Sequence, residues 1–174
     1  ALFETMKESI FAPSWQFLGD SDRVKVPGQI CPDTLLEGYL DEPILLTRDN
    51  SDTVHCLANV CTHRGHLVAE CGGNQRTLRC RYHGRRFGLD GTFQFMPEFE
   101  GVKDFPSEKD NLPRLPLGEW GKFLFASLAP QPAFEEWIAP MRERMAWLPL
   151  ENFHYSPERT REYLVRANWA LYVE

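Results

Sequence analysis

The chain has 174 residues, 43% hydrophobic and 13% aromatic, which is enough apolar side chain to bury a core in one domain with extensions. Its formal net charge of −6, with no basic cluster standing out along the chain, leaves no footprint for nucleic acid. No run of about 18 apolar residues occurs and no basic segment followed by an apolar one opens the chain, so neither a membrane partner nor a secretory leader is expected. The five cysteines show no disulfide rhythm, which fits a reducing cytoplasm, and Cys31, Cys56 and Cys71 read as packed or exposed free thiols.

Residues 1–11 place Phe3, Met6 and Ile10 on one helical face, and Pro13 stops that helix. Residues 15–18 read as a strand. Residues 44–48, the turn-rich Asp49-Asn50-Ser51-Asp52 and residues 53–60 form a hairpin whose return strand runs into Cys61. Residues 75–79 read as a strand entering Cys80, and residues 86–89, the Asp90-Gly91 turn and residues 92–95 form a second hairpin. A proline-rich connection spans 106–116, and residues 122–128 read as a buried strand. Phe134, Trp137, Ile138, Met141 and Met145 recur at helical spacing and predict a helix with a packing stripe over 133–147. Residues 162–166 read as a further strand. The expected class is mainly β: small antiparallel sheets carrying two loops, flanked by an N-terminal helix and a C-terminal helical extension. The expected division is an arm over 1–22, a domain over 23–130 and an extension over 131–174.

The two loops carry the chemistry. Cys61-Thr62-His63-Arg64-Gly65-His66 and Cys80-Arg81-Tyr82-His83-Gly84 each offer one thiolate and one imidazole, with 16 residues between His63 and Cys80. That donor set suits a [2Fe–2S] cluster in which two cysteines hold one iron and two histidines the other. Two neutral imidazoles in place of two thiolates reduce the repulsion met by an added electron, so the potential rises well above that of a four-cysteine cluster. Zinc competes, because two Cys and two His also build a closed tetrahedral site. The single residue between Cys61 and His63 fits zinc spacing poorly. Gly65, Gly72, Gly73, Gly84 and Gly88 gather near these loops, where either a close approach to a cluster or plain turn geometry calls for glycine.

The pattern C-x-H followed by C-x-x-H resembles the Rieske proteins. Members from respiratory chains carry an extra cysteine in each loop, where this chain has His66 and Tyr82. Arg64-Gly65 and Tyr82 are instead similar to the oxygenase and ferredoxin branch, whose common wording is C-P-Y-H-G-W. Arg81 and Arg85 depart from it at the proline and tryptophan positions. Near the C-terminus, Asn168, Trp169 and Glu174 match the N-W-x-x-x-x-E-N stretch that opens the catalytic domain of oxygenase α subunits. Ile10-Phe11-Ala12 and Trp15 are also similar to that group, and the chain resembles the Rieske half of an α subunit.

The resemblance implies a [2Fe–2S] cofactor on Cys61, His63, Cys80 and His83, and a mononuclear Fe(II) in a catalytic domain absent from these residues. It further implies a ferredoxin or flavin reductase as electron donor, a homotrimer of the full-length chain, and hydroxylation of an organic substrate. His55 and His154 come without a second-iron pattern and read as surface or hydrogen-bonded histidines; His66 reads as a neighbour of the site rather than a donor. A stand-alone ferredoxin-type carrier and a zinc-stapled structural module are the alternatives. The substrate is not written in these residues.

Overall fold

The computed structural model describes residues 2–172. Its strands, in chain order, are β1 (Gln16–Asp20), β2 (Gln29–Leu35), β3 (Glu42–Arg48), β4 (Val54–Ala58), β5 (Gly73–Asn74), β6 (Leu78–Arg79), β7 (Arg86–Phe87), β8 (Phe93–Phe95), β9 (Arg114–Leu115), β10 (Leu117–Trp120) and β11 (Phe123–Ala126). They form antiparallel sheets in the orders β5-β2-β3-β4-β9, β1-β11-β10 and β6-β7-β8. The helices are α1 (Leu2–Met6), continued by π-helical turns over Lys7–Phe11, and α2 (Phe134–Arg144).

Strand β3 divides the interior because successive side chains of a strand point to opposite faces. Leu45 joins Ile30, Leu57, Leu78, Phe87, Leu89 and Leu112 in a core that also contains Cys61 and Cys80. Ile44 and Leu46, on the other face, pack with Leu18, Val24, Leu35, Cys56 and Leu124. All three residues are fully buried, and each such side chain contributes about 1.5–3 kcal/mol of hydrophobic stabilisation. Thr47, also fully buried, donates from Oγ1 to the Leu89 carbonyl at 2.5 Å and so ties the five-stranded sheet to the hairpin that carries the second loop.

Several expectations are corrected in detail. Strand β2 falls in a stretch to which the sequence reading assigned no element; β5 pairs only with Gln29 and Ile30, so Pro32 lies where β2 is an edge. The proline-rich connection contains a turn of 3-10 helix at Glu108–Asp110, then β9. The strand expected over 75–79 shortens to Leu78–Arg79. Residues 162–166 form no strand; no partner pairs with them among the described residues, and Leu164 is 98% exposed. The predicted N-terminal face is not buried: Phe3 and Ile10 are exposed, and Phe3 and Phe11 instead pack on Tyr39, with ring centroids 4.6 Å apart in each pair. In α2 only Phe134 and Ile138 are buried, while Trp137 and Met141 stay partly exposed. Glu174 lies outside the described residues. No helix among those described is long and apolar enough to cross a membrane.

Candidate metal centre

The two loops repeat one backbone plan. The Cys61 amide donates to the His66 carbonyl at 2.8 Å and the Gly65 amide to the Cys61 carbonyl at 3.0 Å; Cys80 to Arg85 at 2.9 Å and Gly84 to Cys80 at 3.0 Å reproduce the pair. In each loop the residue four after the cysteine is a glycine with positive φ, +67° at Gly65 and +78° at Gly84, a region that costs an L side chain about 1–2 kcal/mol. Both loops are anchored at the base. A bridge joins Val60 to Leu67, and the Asn59 amide side chain clasps Ala69, donating to its carbonyl at 2.7 Å and accepting from its amide at 2.9 Å. The β6-β7-β8 sheet holds the second loop.

This plan sorts the donors by depth. Cys61 and Cys80 are 3% and 2% exposed and sit in the same core cluster, with their thiols as neighbours. The rings of His63 and His83 meet edge to face, 4.7 Å apart, with His83 open to solvent and His63 half-buried. Burial pushes the Cys61 thiol up, and the facing Cys80 pushes the same way against a hydrogen bond from the His63 amide. Two thiolates there require positive charge between them, which ferric iron supplies. Burial first, then the His83, Arg85 and Arg64 charges, lower His63 and favour the neutral ring that ligates metals. Among the described residues no three His, Cys, Asp or Glu side chains converge into a group able to hold a metal ion. The four side chains stand as a thiol pair and an imidazole pair, a set that fits the two thiolate and two neutral nitrogen ligands of a mixed-ligand [2Fe–2S] cluster.

Aromatic rings cover the outer end. Tyr82 stacks on His83 at 3.9 Å and meets His66 edge to face at 5.7 Å. Phe99 approaches His63 at 6.0 Å and continues through Phe105 to Phe93, each step 5.0 Å. His66 thus contributes its carbonyl to the loop and its ring to Tyr82. His55 pairs with Asp49 at 2.7 Å on the β3–β4 turn, and His154 is exposed; neither joins the site.

The family profile of the Rieske [2Fe-2S] domain matches residues 14–106. The chain belongs to the Rieske [2Fe–2S] domain family. Over 99% of its length it is 31% identical to the glycine betaine monooxygenase oxygenase subunit of Chromohalobacter salexigens, covering 38% of that protein. The chloroplastic choline monooxygenase of Amaranthus tricolor is 30% identical over the whole of this chain, covering 39% of that protein. The chain therefore spans about two fifths of the curated relatives it matches. Among solved structures, the quaternary ammonium Rieske monooxygenase CntA, in which inter-subunit electron transfer has been described, superposes with a TM-score of 0.75 at 26% identity, over 84% of this chain and 40% of that one. Naphthalene 1,2-dioxygenase from Rhodococcus sp. shares the fold with a TM-score of 0.73 at 22% identity, over 82% of this chain and 32% of that one.

Three residues of this Rieske site escape a motif reading. Arg85 is 3% exposed and donates to Thr62 Oγ1 and Asp110 Oδ1, each at 2.7 Å. Its only sequence signal is the departure from tryptophan. Thr62 is hidden between two donors, and Asp110 lies far along the chain in the connection.

Proposed function

We propose that Cys61 and Cys80 hold one iron and His63 and His83 the other of the [2Fe–2S] cluster, and that the chain is the electron-transfer portion of a non-heme iron oxygenase α subunit. The observation that carries this reading is the pairing of two buried thiols behind two outward imidazoles on matched loops. When bound, the cluster supplies reversible one-electron storage at a potential raised by its neutral ligands, in the range of roughly −150 to +300 mV. The chain's own residues do the rest. Leu45, Leu57, Phe87 and Leu112 keep water from the cysteines. The rings of His63 and His83 form the outer end, where an electron arrives or leaves with little protein to cross.

The surface around that end supports an acidic electron donor, a ferredoxin or flavin reductase. Residues 61–88 contain six arginines and one carboxylate in a chain of net charge −6. Five of them, Arg64, Arg76, Arg79, Arg81 and Arg86, are exposed, and among the described residues only Arg81 is offset, by Glu70 at 3.7 Å. These charges fall within 23 positions that run from the first loop to just past the second, and Arg79 and Arg81 line one cleft with His66 of the first loop. The domain spans 23–130 between the arm of 1–22 and the extension of 131–174, which leads into a catalytic domain outside these residues. There two histidines and a carboxylate hold a mononuclear Fe(II) with open positions for dioxygen. In a cytoplasmic homotrimer, that iron is supplied by the neighbouring subunit. The exposed Tyr163, Leu164, Leu171 and Tyr172 support an adjoining domain over a free carrier. The relatives named for glycine betaine and choline make a quaternary ammonium compound the substrate class to assay first.

Iron and acid-labile sulfide analysis, with electron paramagnetic resonance of the dithionite-reduced protein, tests the cluster. Two irons, two sulfides and a mixed-ligand signal are expected, and each of Cys61→Ser, Cys80→Ser, His63→Ala and His83→Ala should abolish or convert that signal while His66→Ala retains it. A colourless protein with one zinc would refute the reading.

A further inference from the structure

We infer that Arg85 is a positioning residue that clamps the two donor loops together and keeps a dehydrated positive charge beside them, setting both the closure of the site and its affinity for an added electron. The inference rests on the cluster assignment above.

A guanidinium only 3% exposed is costly unless its partners are well placed. Here Arg85 and its two partners come from three separate segments. Arg85 follows His83 by two residues in the second loop; its Nη1 donates to the Oγ1 of Thr62, which stands between Cys61 and His63 in the first. Its Nη2 meets Asp110 Oδ1 at 2.7 Å. Thr62 Oγ1 in turn donates to the Asp110 carbonyl at 2.8 Å, which closes a ring of bonds through both loops and the Glu108–Asp110 turn. Asp110 is itself fixed, its Oδ2 accepting from the Ser107 amide at 2.7 Å and the Ser107 hydroxyl at 3.1 Å. The rings of Phe93 and Phe105 lie 5.0 and 5.6 Å from the guanidinium carbon and exclude water from it. Apart from the facing thiols, the Arg85–Thr62 contact is the one side-chain hydrogen bond joining the loops among the described residues.

Two further features separate this role from simple packing. The Arg85 Nε is buried with no partner, a cost the fold accepts to hold the other two nitrogens in place. The charge also lies against the first loop, hydrogen-bonded to the hydroxyl of Thr62, the residue between Cys61 and His63. In a site of low dielectric a positive charge this close to the two loops favours an electron added between them. Lysine is not equivalent, since one ammonium on a flexible stem does not present two divergent donors to acceptors on different segments.

The test compares Arg85→Met, Arg85→Lys and Thr62→Val in the full-length, cluster-loaded protein, by potentiometric titration and by amide hydrogen exchange of residues 61–66 and 80–85. Arg85→Met is expected to lower the midpoint potential and to speed exchange in both loops by about tenfold or more, the scale of losing a charge-assisted hydrogen bond. Arg85→Lys keeps the charge and should hold the potential nearer the parent while exchange rises. Thr62→Val should leave the potential nearly unchanged and speed exchange chiefly in 61–66. An unchanged potential in Arg85→Met overturns the electrostatic half, and unchanged exchange overturns the clamp. If Arg85→Met does not accumulate folded, parent-like exchange in both other variants overturns the inference. Failure of the cluster assignment itself is distinguishable, because it removes the reduced-state signal from the parent protein.

Discussion

At the scale of single residues, equivalent positions in the two loops do not tolerate the same change. Gly65 and Gly84 share a left-handed backbone, but a Cβ at Gly65 meets open space, whereas one at Gly84 lies 3.3 Å from Pro97 Cγ. Gly84→Ala should therefore cost more than Gly65→Ala, by a margin beyond the common conformational penalty of about 1–2 kcal/mol, read by denaturant unfolding. Asp110 gives the molecule an acid-sensitive latch. Burial would raise its carboxyl, but the Ser107 amide and the Arg85 guanidinium outweigh it and hold the group below its ordinary 3.8. A carboxylate depressed on folding adds stability above its unfolded pKa, and that share is lost as pH falls through the lower, folded value. Unfolding midpoints measured across mild acid should fall below about pH 4, and Asp110→Asn should be less stable at neutral pH with a flatter acid limb. A parent-like acid limb in that variant would show that other carboxylates carry the effect. The two loops proposed to hold the cluster stand out in the sequence because Cys-x-His and Cys-x-x-His are local spacings, and the fold brings their histidine rings within 4.7 Å of each other. Asp110 does not, because it stands 25 residues from Arg85 and no short pattern joins them.

At the scale of elements, the strand–loop–strand units were legible and the pairing partners were not. The β3–β4 and β7–β8 hairpins announce themselves through alternation and through Asp-rich or Asp-Gly turns, and the structure keeps both. Strand β2 carries Pro32, which is disfavoured in a central strand and tolerated only where pairing with β5 has ended. The pattern over 162–166 misled for the converse reason, since alternation states a preference for extended chain and a strand also needs a neighbour. The division made by β3 leads to a paired prediction. Leu45→Ala and Leu46→Ala each delete a fully buried side chain and should each destabilise by about 2–5 kcal/mol. Only Leu45 packs in the core that includes Cys61 and Cys80. Loss of the visible cluster absorption to a chelator should accelerate in Leu45→Ala well beyond Leu46→Ala at matched distance from the unfolding midpoint. Equal rates would mean that the loops sense global stability and not the packing beneath them.

At the scale of the whole molecule, charge is distributed against its own average. The chain is acidic overall, yet the exposed arginines lie along the segment that carries the two loops, so that segment attracts what the rest of the surface repels. Sequence composition concealed this because a net charge sums over the chain and loses position. Such a field orients an acidic partner with its approach directed at His63 and His83, and it acts over about 10 Å at 0.1 M salt. Reduction of the cluster by an acidic plant-type ferredoxin, used as probe and followed by stopped-flow absorbance, should therefore slow as ionic strength rises. Arg64→Glu with Arg79→Glu, which reverses two exposed charges that form no ion pair among the described residues, should slow it by about tenfold or more at low salt and flatten the salt dependence. A small uncharged reductant should show no such salt dependence, because it gains nothing from steering. A rate that rises with salt, or a reversal variant reduced as fast as the parent, would place the entry of electrons on another face.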